Sequence, residues 1–278
     1  MSAPRGSVAS HPEAANVSAK HTEGSVKSAD RTLAIIELVA DRGTVRFQDI
    51  LDDLSLARSS AHALLRTLIS SGWLQHNPQT RMYALGLRAW QIGQKYNGNR
   101  GLAEIAMPHM DMLAKSVGET VQLARLDGIE NVYLAISESP HPFRLASSVG
   151  MRLHSHATAL GKALLSQLDP EEARRRLTAV VLPRFTDRTI TDPAALLEEI
   201  DQTRRQGYST DEGEYLAGTR CVAVPLLNDG AELIAALSVT APSVRTGDDW
   251  PEPVLAELRS TATRIRAELG YGRELSSA

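Results

Sequence analysis

Cys221 is the only cysteine in the chain, which also carries His154 and His156 two residues apart and the acidic run Asp211-Glu212-Gly213-Glu214. A thiol, an imidazole base and a carboxylate that orients it form a constellation for covalent catalysis. The same histidines with Glu212 and Glu214 supply metal-ligand atoms, and the carboxylates alone could do acid–base work. Each set has a plainer reading. A buried cysteine packs as a small hydrophobe, and the sequence places no basic group or helix N-terminus beside this sulfur. Ligands at i and i+2 share one metal only on a suitable strand or loop, so no metal is expected. The acidic run reads as a solvated loop that orders near a ligand. A thiol-dependent enzyme stays open as the alternative function.

A second constellation lies in residues 58–70. Ala61, Leu64, Leu65 and Leu68 recur at helical spacing and take up one face. Arg58, Ser59, Ser60, His62, Ala63, Arg66 and Thr67 are left outward. No Asp or Glu occurs between Arg58 and Lys95. A helix with donors, two arginines and no carboxylate can approach phosphates and base edges without repulsion. The plainer reading is a solvated face that happens to lack acids.

The elements around this helix must present it. Residues 28–40 place Thr32, Ile35, Ile36 and Val39 on one face, with Ser28 as N-cap. Residues 46–54 place Phe47, Ile50, Leu51 and Leu54 likewise, with Arg46 at the head. Only Ser55-Leu56-Ala57 separates this second helix from the third, which forces the corner of a helix-turn-helix. Gly72 falls where the third helix must stop. Trp73-Leu74-Gln75 and Met82–Leu85 then flank an acid-free turn, the signature of a hairpin wing. Arg81 on that wing and Arg46 join Arg58, Ser59, Ser60, His62, Arg66 and Thr67 as candidate DNA contacts.

Charge follows the same division. Residues 1–100 hold 12 lysines and arginines against 8 acids, while the remaining 18 basic residues meet 25 acids. A basic first third suits an anionic partner. Residues 1–24 lack the apolar stretch of a signal peptide and read as a disordered tail. No apolar run reaches membrane-spanning length, and one cysteine in 278 residues suits a reducing, cytoplasmic setting. The small-domain pattern covers 25–86, a linker helix is expected over 87–101, and a second domain over 102–272. Leu102, Ile105, Ala106, Met110, Leu113 and Ala114 make an amphipathic helix that packs on its own body or pairs with a second copy.

Strands are predicted at 119–125, 131–137, 143–149, 220–227 and 233–240, and helices at 157–167, 170–178, 193–206 and 252–269. Asp127-Gly128 and Asn228-Asp229-Gly230 punctuate hairpins. Strand pairs interrupted by helices imply an α+β domain with an antiparallel sheet. No glycine-rich phosphate loop follows a strand, so no cofactor is expected. Ser238 and Thr240 alternate on one strand and share a face. A helix starting near Ala157–Ala159 offers its positive end to a carboxylate.

A resemblance to a known family covers residues 26–270. Ala29-Asp30-Arg31-Thr32-Leu33-Ala34-Ile35 and Leu56–Leu68 resemble the DNA-binding domain of the IclR family of bacterial regulators. Gly150–Leu165, Gly207–Glu214 and Gly218–Pro225 resemble its GAF-like effector domain. The family usually has glycine where Ser55 stands and commonly arginine where Ala63 stands. The resemblance implies a winged helix-turn-helix, a linker helix that pairs two chains on a palindromic operator, and a homodimer or dimer of dimers. It also implies effector contacts at Ala159, Leu160, Asp211, Thr219, Cys221, Ser238 and Thr240. Small hydroxyls, one carboxylate and a leucine suit a small organic acid or hydroxylated metabolite.

Overall fold

The computed structural model describes residues 26–95 and 100–271. The tail expected over 1–24 lies outside the described residues. The chain divides into two compact units on either side of residues 98–99.

The first unit contains α1 (Lys27–Arg42), β1 (Thr44–Arg46), α2 (Phe47–Asp53), α3 (Arg58–Ser70), β2 (Leu74–Asn77), β3 (Met82–Leu85) and α4 (Leu87–Gly93). Ile35, Ile50, Ala61, Leu65 and Leu68 from the three helices meet in one buried core with Val45, Leu74 and Tyr83. The helical periodicity of each segment therefore points at a shared centre. The α1 cap differs from expectation. The helix begins at Lys27 after Val26, and Ser28 lies inside it, its carbonyl accepting the Thr32 hydroxyl at 2.7 Å. At α2 the Asp49 carboxylate accepts the Arg46 backbone N–H at 2.8 Å.

Ser55 holds the corner between α2 and α3 with φ 49°, a left-handed conformation. Glycine, the residue the resemblance leads one to expect there, adopts it without strain. Gly72, at φ 78°, ends α3. Its N–H bonds to Ile69 O and that of Trp73 to Leu68 O, so two of the helix's last carbonyls are satisfied. β3 is central in a three-stranded antiparallel sheet, flanked by the wing partner β2 and by the short β1. β1 is an addition to the sequence reading. α4 buries none of its side chains, and Leu87 and Trp90 are 68% and 62% exposed.

The second unit opens with α5 (Arg100–Val117). It continues through β4 (Thr120–Asp127), β5 (Glu130–Ser137), β6 (Arg152–His154), α6 (Ala159–Leu165), α7 (Pro170–Thr178) and α8 (Pro193–Gln206). β7 (Ser209–Asp211), β8 (Thr219–Leu227), β9 (Leu233–Pro242) and α9 (Glu252–Glu268) complete it. Six strands in the order β6-β5-β4-β9-β8-β7 pair antiparallel throughout. Side chains alternate across that sheet. Val121, Leu123, Val222 and Val239 face α5 and α9, while Ala124, Ala223 and Ala236 face α6. α7 and α8 cover the far side of α6 through Leu165, Leu177, Leu196 and Ile200.

Three expectations change. The segment 143–149 forms no strand beyond a single bridge at Leu145, because β6 takes the place beside β5. The helix expected over 157–167 is a 3-10 turn at Ser155–Ala157 followed by α6. In place of one linker helix over 87–101, α4 stops at Gly93, and Gly101 lies inside α5. The apolar face of α5 is buried in its own unit: Leu102, Ala106, Met110 and Leu113 pack in the core with α9 and the sheet.

Candidate DNA-reading helix and effector pocket

α3 exposes Arg58, Ser59, His62, Arg66 and Thr67, whereas Ser60 is half-buried. Its partner α2 conditions that face. The Phe47 ring stacks on His62 with centroids 4.3 Å apart, and the Arg58 guanidinium lies 5.5 Å from the centre of the same ring. One aromatic thus holds a cation and an imidazole on the outer side of the helix. The Thr67 hydroxyl donates to Ala63 O at 3.1 Å, which ties it to its own helix. Arg46 is exposed where β1 passes into α2, and Arg81 is exposed on the wing at φ 57°. Asn77 Oδ1 accepts the N–H groups of Gln79 and Thr80 and shapes the turn beside Arg81.

In the second unit one cavity lies between the sheet and α6. All seven expected residues line it: Ala159 and Leu160 at the head of α6, Asp211 on β7, Thr219 and Cys221 on β8, Ser238 and Thr240 on β9. Sequence reasoning missed the group that joins them. Gln122 on β4 sits opposite Ser238 in the ladder, and its Oε1 accepts from Ser238 at 2.9 Å and Thr240 at 3.0 Å. A polar residue inside an apolar strand, on the face of Ala124, was the available signal. Tyr133 and Tyr215 add aromatic walls, and Thr158 adds a hydroxyl. That hydroxyl accepts Gly161 N–H at 3.1 Å and donates to Asn131 at 2.9 Å. The positive end of α6 is therefore partly capped by the protein itself.

Asp211 is 2% exposed, and its Oδ1 accepts the Glu214 backbone N–H at 2.6 Å. Burial, reinforced by the Glu214 carboxylate, pushes Asp211 up to about 7. Behind it Lys162 of α6 is 1% exposed and donates to Glu214 at 2.7 Å and Glu199 at 3.2 Å. Burial works against that ammonium, but the two carboxylates outweigh it and hold its pKa above the usual lysine value.

Burial also raises the Cys221 thiol, and the nearby Asp211 adds to the effect. Its sulfur lies 3.2 Å from the Thr240 hydroxyl oxygen. The two histidines contact other groups. Their rings pack against each other and against Phe185, and His156 Nε2 lies 2.9 Å from Pro183 O. Burial lowers His156 to about 4. A thiol held protonated is a poor nucleophile.

Residues 28–78 match the IclR helix-turn-helix domain model, and residues 94–267 match the bacterial transcriptional regulator IclR C-terminal model. The chain belongs to the IclR family. The HTH-type transcriptional regulator BhcR of Paracoccus denitrificans is 35% identical over 249 residues, covering 90% of this chain and 88% of that one. The transcriptional repressor IclR of Escherichia coli is 32% identical over 229 residues, 81% and 84% of the two chains. An IclR homolog from Microbacterium hydrocarbonoxydans, crystallised with 4-hydroxybenzoate, superposes with TM-score 0.76 at 28% identity, covering 87% and 99%. This IclR-family chain is thus α+β, with a DNA-binding helix-turn-helix and a curled antiparallel sheet flanked by helices. The relatives are transcriptional regulators and not enzymes, so the thiol-dependent alternative is set aside.

Proposed function

We propose that this chain regulates transcription through a small organic acid or hydroxylated metabolite, which binds the cavity of the second unit and changes affinity for an operator. The observation that carries the reading is the convergence of seven residues from four elements on one cavity built around Asp211 and Gln122. Support for an acid comes from the neighbour whose crystal contains 4-hydroxybenzoate. Arg46, Arg58, Ser59, Ser60, His62, Arg66, Thr67 and Arg81 are the DNA contacts in this reading, and the protein acts in the cytoplasm as a homodimer or dimer of dimers on a palindromic site. Among the described residues no helix is long and apolar enough to cross a membrane.

The DNA half is tested by titrating DNA from upstream of the protein's own gene across a salt series. Arg58→Ala and Arg66→Ala should each flatten the log–log salt slope by roughly one unit if they neutralise a phosphate. If both variants bind as the wild type does, α3 is not the reader.

A further inference from the structure

We propose that the pocket takes a carboxylate ligand together with one proton, held on Asp211, so that this side chain donates a hydrogen bond to the ligand. The proposal rests on reading the cavity as the effector site, and deepens it.

None of the fourteen residues lining the cavity is an arginine, lysine or histidine. The ammonium nearest in the network, that of Lys162, is already engaged by Glu214 and Glu199. Two carboxylates therefore share one cation before Asp211 or any ligand is counted. The other groups facing Asp211 are neutral. Cys221 lies opposite it in the β7–β8 ladder, and burial raises both that thiol and the Tyr133 phenol on β5. Burial raises the phenol of Tyr215 as well.

A ligand carboxylate entering beside an ionised Asp211 would put two like charges side by side against a lining that holds no cation, which is strongly unfavourable. With Asp211 protonated the same approach becomes an O–H···O⁻ hydrogen bond, among the strong ones. Burial already holds Asp211 up to about 7, so the proton-bearing form is populated near neutrality. The proton comes from solvent, and the ligand, an ordinary carboxylic acid, stays ionised throughout. Affinity should be level below that range and fall roughly tenfold per pH unit above it, as loss of a single proton requires.

The test is calorimetric titration of the full chain with acetate, lactate, benzoate and 4-hydroxybenzoate between pH 6 and 9. For the acids that bind, repeating the titration at pH 8 in buffers of different ionisation enthalpy should show one proton taken up per ligand. Asp211→Asn, whose amide donates without titrating, should flatten the pH profile. The wild-type proton count stands even if that variant misfolds. Binding with no proton uptake and no slope overturns the proposal while leaving the effector reading intact. No binding of any of these acids at pH 6 overturns the carboxylate reading of the cavity itself.

Discussion

Lys162 is fully charged and almost completely buried because Glu214 and Glu199 reach it from two other elements of the fold. The cost of such a group is deferred: it appears when one partner is removed and the other remains. Glu214 Oε2 is already buried with no hydrogen-bond partner among the described residues, and burial raises the Glu214 pKa even beside Lys162. Lys162→Met should therefore destabilise the protein by about 3–5 kcal/mol, the range for stripping a buried charge of its counterion. Adding Glu214→Gln should recover much of that loss, since the second substitution removes the orphaned carboxylate. Chemical denaturation of the single and double variants measures it. Equal loss in both would mean that packing around the lysine stem, and not its charge, is what matters.

Among the elements, α6 and the turn before it decide where the pocket's head sits. A Cβ on Gly161 would come within 2.2 Å of Ser155 O and 2.1 Å of Ser155 Cα, so the helix and the 3-10 turn touch backbone to backbone. Gly161→Ala should push them apart, costing about 1–3 kcal/mol as overpacking does, and should weaken ligand binding because Ala159 and Leu160 move with α6. A variant as stable as the wild type, with unchanged ligand affinity in thermal-shift titration, would contradict that packing.

Legibility in the sequence followed the strength of local signals. α3, α7 and α8 match their expected bounds, and the last two begin at Asp169 and Asp192, whose side chains cap the helix just before a proline. β6 and β7 are three residues long, too short for alternation to show. Residues 143–149 carry the composition of a strand, but pairing is a tertiary property and β6 won the position. Arg58 and His62 were visible as donors, whereas their common support on Phe47 required α2 and α3 to be brought together. Gln122 was hidden for the same reason: its two hydroxyl partners lie 116 and 118 residues away.

At the scale of the whole molecule, the basic excess falls in the unit that carries the helix-turn-helix, and the acidic excess in the unit that carries the cavity. An effector can alter DNA affinity only if it binds the DNA-competent and DNA-incompetent states unequally, and that coupling is typically 5–150-fold. The most direct measurement is the operator affinity of the full-length protein by fluorescence anisotropy, taken without ligand and at saturation with an acid that calorimetry has shown to bind. The account predicts a shift in operator affinity within roughly that 5–150-fold range, with the acid recovered unchanged by mass spectrometry. A filled cavity with operator affinity unmoved, or catalytic consumption of the acid, would contradict it.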